Sequence, residues 1–374
     1  MSLKQIFCQE KAVSILQKAY AADRMPHAYI FAGPDGVGKF TTAKAFSALL
    51  LCENPVIEKN SGQPFADSCA CCPSCQLLDA DSHPDFIHIY KELCQFTKDG
   101  KDKTAPVDLP IDVIREFLIE KISARPTHSK KRIFVVSEAE KLNINSQNAL
   151  LKVLEEPPHF CTIILLCTRL EQLLPTTKSR SQIIRFGPLD EEIIIENLKH
   201  TNLDENIVKY FARLSNGSIG LAAKWVQLQL ADADIYRMKK EVIKKILKYE
   251  YAEALNAAQM MLTEAGKITA LCTKIDNNTS KTDINRKAQK TIIRIIISAL
   301  HDAMKTALKD DKTIINFDQP KDVKKLADLF TPEQLAEKIE FCYEKIRSID
   351  ASVNEKLIFE DLLLNLKNFD IIKV

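Results

Sequence analysis

The sequence predicts an α/β domain on parallel strands, followed by a region made of helices alone. Three observations predict it. Short apolar runs at 27–32, 133–136 and 162–168 read as buried strands, and helical patterns separate them. A glycine-spaced turn at 33–41 joins the first run to a helix. After Gly187-Pro188 no convincing strand remains. A chain of 374 residues suits two or three such domains.

Composition narrows the class. With 46% hydrophobic and 27% charged residues, and only 9 Gly and 15 Pro, the chain is of the folded, helix-rich kind. Lys+Arg of 52 against Asp+Glu of 50 gives +2, so no global field draws it to nucleic acid or membrane, and any DNA contact must come from a local face or from partners. The apolar runs at 163–167 and 292–300 are short or broken by Arg294, whereas a bilayer span takes about 20 residues. Nothing at Met1-Ser2-Leu3-Lys4 reads as a leader, so the expectation is a soluble, cytoplasmic protein. Eleven cysteines, an odd number with several clustered, read as reduced thiols plus a metal site.

In chain order, 5–23 places Ile6, Ala12, Ile15, Leu16 and Tyr20 at helical spacing. Strand 27–32 then feeds Gly33-Pro34-Asp35-Gly36-Val37-Gly38-Lys39-Phe40-Thr41, and 41–52 is a helix. This nearly matches the loop that cradles nucleoside triphosphates: Gly, four residues, Gly, Lys, then Ser or Thr. Gly33, Gly36 and Gly38 let backbone N–H groups approach phosphate oxygens, and Lys39 supplies a charge. The hydroxyl that would hold Mg²⁺ is replaced by Phe40, which cannot ligate a metal. Thr41 lies about 100° further round the helix and does not replace it without a register shift.

Cys69, Cys72 and Cys75 step by three residues, and Cys52 ends the preceding helix. Four thiolates in that pattern define a structural tetrahedral zinc site, with an exchange of Cys71 for Cys69 left open. His83 and His88, downstream beside a proline-flanked strand, read as non-ligands. Residues 97–107 read as a solvated loop, and 111–118 begins an amphipathic helix with an acidic first turn. Lys130-Lys131-Arg132 is a candidate DNA patch, although a charge run before a buried strand is usually a solvated edge.

Strand 133–136 ends in Ser137-Glu138, where a nucleotide-hydrolysing fold has Asp-Glu, the Asp steering Mg²⁺ and the Glu activating water. Residues 143–156 form a helix stopped by Pro157-Pro158. Thr168, at the tip of the third strand, is a candidate phosphate sensor. Residues 175–181 end a helix before the run 183–186. Residues 189–226 read as three small helices, and 232–374 as long amphipathic helices. The apolar arc of Leu357, Ile358, Leu362, Leu363, Leu364 and Leu366 is wider than one coiled-coil seam, which suits burial within the domain or against another subunit.

Several of these stretches resemble one family. His27-Ala28-Tyr29-Ile30-Phe31, the cysteines after the loop helix, Asn148-Ala149-Leu150-Leu151-Lys152-Val153-Leu154-Glu155-Glu156-Pro157-Pro158 and Ser179-Arg180-Ser181 are similar to bacterial clamp-loader subunits of the AAA+ class. The resemblance is strong over about 5–226 and weaker beyond, where 354–364 is similar to the family's collar. It implies an AAA+ domain with a zinc module (1–187, the module about 52–75), a three-helix lid (188–228) and an all-α collar (229–374).

The family's zinc-bearing chains are the gamma/tau motor and the delta-prime subunit. Against the motor, three positions depart: Phe40 for the metal-binding hydroxyl, Ser137 for the metal-steering Asp, and Gly220 for the lid's phosphate-sensing Arg. The resemblance therefore implies a delta-prime-like subunit with its own ATP and Mg²⁺ chemistry lost. Gly33, Gly36, Gly38, Lys39, Thr41, Glu138 and Thr168 would be a degenerate nucleotide site. Arg180 would be an arginine finger acting in trans, and Ser181 stands where the family has Cys. The implied partners are motor and delta subunits, the sliding clamp and primer-template DNA. The rival readings are a gamma/tau-like ATPase and a nucleotide-independent zinc scaffold.

Overall fold

A computed structural model describes residues 2–58, 65–98, 108–275, 279–310 and 313–366. The chain divides into two compact units: Met1–Ile194 with Asn216–Leu221, and Ile195–Ser215 with Ala222–Val374.

The first unit is built on β1 (Ala28–Ala32), β4 (Phe86–Ile89), β5 (Arg132–Val136), β6 (Cys161–Cys167) and β7 (Gln182–Arg185), all parallel, in the order β4-β5-β6-β1-β7. A separate antiparallel pair, β2 (Val56–Glu58) and β3 (Phe65–Asp67), lies outside it. The three central strands are buried at every residue, as continuous apolar runs require, whereas β4 and β7 are partly exposed edges. Ile30 sits between Leu165 and Ile183, and Phe134 opposite Ile163. These residues pack on Leu118, Leu150 and Leu154. Residues of opposite parity in β1 face the other way: Tyr29 meets Phe46 edge-on at 5.5 Å, and Phe31 meets Phe186 at 5.1 Å.

The helices here are α1 (Glu10–Ala21), α2 (Lys39–Leu51), α3 (Pro73–Asp79), α4 (Ile111–Ile114), α5 (Glu120–Ile122), α6 (Ile144–Glu155) and α7 (Pro175–Ser179). The helix expected over 5–23 is interrupted. A 3₁₀ turn at Leu3–Gln5 precedes α1, because Cys8 takes a left-handed φ of 54° and the Gln9 amide is spent on the carbonyls of Gly187 (2.8 Å) and Val37 (3.4 Å). The helix expected from 111 runs through a π segment, Arg115–Ile119, between α4 and α5. Asn143 caps α6, its side chain accepting from Ser146 N–H at 2.8 Å, and Pro157-Pro158 follow its end. Most of the loop expected over 97–107, from 99 on, lies outside the described residues.

α8 (Glu191–Leu198) and α10 (Ile219–Leu230) straddle the boundaries between units. The second unit holds α9 (Glu205–Leu214), α11 (Ile235–Lys248), α12 (Ala254–Ile275), α13 (Lys281–Ala307), α14 (Pro320–Leu329), α15 (Pro332–Asp350) and α16 (Glu355–Leu366). α13 is its centre, with Ile292, Ile296 and Leu300 fully buried. On α16, Ile358, Phe359, Leu362 and Leu363 are buried, whereas Leu357 is 59% exposed. A polar lock joins α13 to the following loop: buried Asp302 accepts from Ile315 N–H (3.0 Å), Asn316 N–H (2.7 Å) and the Asn316 amide (2.7 Å). Among the described residues no helix is long and apolar enough to cross a membrane.

Candidate nucleotide site, zinc centre and arginine

Because all five strands run parallel, the carboxyl ends of β1, β5 and β6 share one edge of the sheet, the edge where open α/β sheets bind ligands. There the fold gathers Gly33, Gly36, Gly38 and Lys39 after β1, Ser137 and Glu138 after β5, and Thr168 after β6. Gly38 is the N-cap of α2 with φ 96°, a conformation that leaves the helix N–H groups open to an anion.

The loop's functional groups are turned to internal partners. Lys39 is 8% exposed and its Nζ donates to the carbonyls of Gly33 (2.7 Å) and Pro34 (2.5 Å). Burial lowers its pKa, against the attraction of Asp35 and Glu140. Gly220 N–H donates to Gly36 O at 2.9 Å, and a Cβ at 220 would stand 2.9 Å from Gly36 Cα. The position expected to correspond to a sensor arginine is thus a backbone contact with the phosphate loop. Phe40 is 37% exposed and packs on His88, ring centres 4.5 Å apart, while Thr41 is exposed on the first turn of α2.

At the tip of β5, Glu138 has φ 52° and pairs with Lys141 (2.6 Å) and with buried Lys91 (3.8 Å). Burial pushes Lys91 down to about 8, against the pull of Glu138. Burial works to lower Lys141, but Glu138, together with Lys91 and Glu140, outweighs it and raises its pKa. Thr168 donates to Glu140.

Arg180 lies elsewhere. It caps the carboxyl end of α7 two residues before β7, at the amino edge of the sheet. The loop and Arg180 are therefore separated by the length of β7, four residues or about 13 Å. Its Nη2 is 2.7 Å from Glu155 Oε1 and its Nη1 donates to Thr176 O at 3.1 Å; the side chain is 34% exposed.

The sulfurs of Cys52, Cys69, Cys72 and Cys75 all lie within 4.8 Å of one another, and Cys71 is exposed outside the group. Ala70, with φ 58°, turns the chain between Cys69 and Cys71. A tetrahedron with metal–sulfur bonds near 2.3 Å has sulfurs about 3.8 Å apart; Cys52 Sγ stands 3.5 Å from Cys69 Sγ and 3.9 Å from Cys72 Sγ. Backbone N–H groups already point at sulfur: Cys69 N to Cys52 (3.3 Å), Cys72 N to Cys69 (3.3 Å) and Cys75 N to Cys72 (3.5 Å). The N–H of Cys71 and then that of Cys72 hold the Cys69 thiol down to about 6, against burial, and burial pushes Cys52 up to about 11. The donor set and spacing fit a metal such as zinc.

His83 is committed elsewhere. Its Nδ1 accepts from Asp85 N–H at 3.0 Å, so the proton sits on Nε2, which faces Ser74 Oγ at 2.9 Å. Of the basic run, Arg132 is buried, donating to Lys121 O (3.1 Å) and Ala124 O (3.0 Å), and Lys131 donates to His159 O (2.9 Å). His88 and Lys91 carry no motif signal, and Glu155, although it lies within the 148–158 stretch, is not marked there as a partner of Arg180; only the tertiary fold brings the three to the site residues.

The sheet order, the phosphate-type loop and the tips of β5 and β6 define an AAA+-like fold. A family model described as DNA polymerase III, delta subunit matches residues 8–190, and one described as DNA polymerase III, delta subunit, C terminal matches 268–368. The chain belongs to the DNA polymerase III clamp-loader subunits of the delta-prime/gamma type. It is 30% identical to DNA polymerase III subunit gamma of Buchnera aphidicola over 224 residues, 58% of this chain and 55% of that one. It is 28% identical to subunit delta' of Bacillus subtilis over 209 residues, 56% of each. The chain spans about half the length of these curated relatives. A solved gamma subunit-related protein from Thermotoga maritima aligns at TM-score 0.45 and 15% identity, covering 94% of this chain and 98% of that one.

Proposed function

We propose that this chain is a delta-prime-like, non-motor subunit of a replicative clamp loader, acting in the cytoplasm. In this reading it helps load the sliding clamp onto primed DNA and donates Arg180 to ATP bound by a neighbouring motor subunit. The observation that carries the reading is positional: Arg180 sits at the amino edge of the sheet, a strand's length from the chain's own phosphate loop. An arginine so placed serves a nucleotide on another subunit. The loop supports the same reading, because Phe40 offers no ligand for Mg²⁺ and Ser137 puts a neutral hydroxyl where a metal-steering carboxylate is expected.

In this reading the helical collar (229–374), which follows the lid (188–228), carries assembly with motor and delta subunits, and the four cysteines hold one structural zinc ion. Reconstitution with motor subunits tests it: Arg180→Ala should leave assembly intact and depress ATP hydrolysis by the neighbour. Unchanged hydrolysis would remove the trans role. A gamma/tau-like ATPase is the second reading, favoured by the open amide geometry at Gly38 and by the comparable likeness to a gamma subunit. Magnesium-dependent turnover by the isolated chain that vanishes in Lys39→Ala would establish it instead.

A further inference from the structure

His88 joins the two metal-side positions that departed from the motor pattern. It comes from β4, two strands away from β6 across β5, and its Nε2 lies 2.8 Å from Ser137 Oγ. Its ring centre lies 4.5 Å from that of Phe40 and 5.0 Å from that of Tyr90. Phe40 from the first turn of α2 and Ser137 from the tip of β5 thus meet through one imidazole.

We propose that His88 is a specificity-determining residue of the phosphate loop, the group that excludes a divalent cation from its metal side. This rests on the reading of the loop as a degenerate nucleotide site. A hydrated Mg²⁺ needs oxygen ligands in octahedral array and retains several waters. Phe40 offers no oxygen ligand at all, and the imidazole Nε2 of His88 is already engaged by the Ser137 hydroxyl.

The same geometry predicts what happens when the motor residues are put back. A carboxylate at 137 would lie against the His88 imidazole, which would take a proton and become its counter-ion, so the carboxylate would be neutralised by imidazolium instead of by metal. The imidazolium would also repel the cation. A hydroxyl at 40 would leave the ring of His88 in place. Burial holds His88 neutral at physiological pH, down to about 4, so the chain as it stands carries no charge there.

The experiment uses full-length wild type, Phe40→Thr/Ser137→Asp, and the triple variant that adds His88→Ala, each checked for cooperative thermal unfolding. Binding of a fluorescent ATP analogue is measured in EDTA and in millimolar MgCl₂. The expected result is under 2-fold magnesium dependence for wild type and the double variant, and a gain of about 10-fold or more, a factor equal to about 1.4 kcal/mol, for the triple. A double variant as magnesium-dependent as the triple overturns the proposal, and so does a folded triple variant with no magnesium dependence. Magnesium-dependent binding by wild type would instead overturn the degenerate-site reading, a separate outcome from the contrast between double and triple variants.

Discussion

Glu155 Oε1 stands 2.7 Å from Arg180 Nη2, tying the last residue of α6 to the arginine that caps α7. Both side chains are partly exposed, at 49% and 34%. A pair in that setting contributes about 0–1 kcal/mol, so it aims the guanidinium without holding it against a stronger partner. In the proposed assembly, a triphosphate on a neighbouring subunit would offer more charge and a matching set of oxygens.

The first prediction follows from this pair. Arg180→Ala should cost the neighbouring ATPase site about 10³-fold or more in rate, and Arg180→Lys should rescue little, because an ammonium lacks the planar fork. Glu155→Gln should shift thermal stability by roughly 1 kcal/mol or less, while the neighbour's hydrolysis rate changes less than 10-fold. Single-turnover ATPase assays on the reconstituted complex, with melting curves, check all three.

The cysteine cluster should bind about one zinc per chain by elemental analysis. Cys72→Ser should lose the metal and lower the melting temperature, whereas Cys71→Ser should keep both, since Cys71 lies outside the sulfur group. A metal-free, equally stable wild type would contradict the assignment.

Gly220→Arg restores the residue type expected of a motor, but its Cβ would press on Gly36 Cα at 2.9 Å, where both groups are backbone. Destabilisation of about 1–3 kcal/mol is expected in urea unfolding, with no gain in ATP turnover.

Asp85 is buried and accepts from the N–H groups of Thr127, His128 and Ser129, each at 2.8 Å, beside Arg132 at 3.5 Å. Burial raises its pKa, but these donors outweigh burial and hold it below the usual carboxylate value. Its stabilisation is therefore full above about pH 4, the unfolded value, and fades as pH falls through the lower folded value. Asp85→Asn should cost about 3 kcal/mol at neutral pH, and the difference from wild type should shrink in acid, as read from urea titrations at pH 7 and pH 3.

Much of the frame was legible because the sequence signals for it are local. Continuous apolar runs marked β1, β5 and β6, glycine spacing marked the loop, and three-residue cysteine steps marked the four-sulfur group. The helix over 5–23 was over-read because its break depends on Gln9 reaching the backbone of Val37 and Gly187, the latter 178 positions away. The partners of Arg180, Ser137 and Gly36 were illegible for the same reason. Glu155, His88 and Gly220 reach them through strand order and packing, and no periodicity records which tip meets which. Cys69 and Cys71 could not be separated by spacing; the left-handed turn at Ala70 separates them.

α2 is held at both ends by groups that need no nucleotide. At its start Thr42 N–H donates to Gly38 O at 2.9 Å, and at its end Leu51 O accepts from Ser74 Oγ at 2.7 Å beside the sulfur cluster. Over 13 residues, about 20 Å, the helix acts as a strut with fixed footings. Such a strut preserves the outline of the loop whatever the loop binds. A helix braced this way keeps the outline of the loop independently of catalysis, and the four-sulfur cluster at its far end anchors one of the two footings.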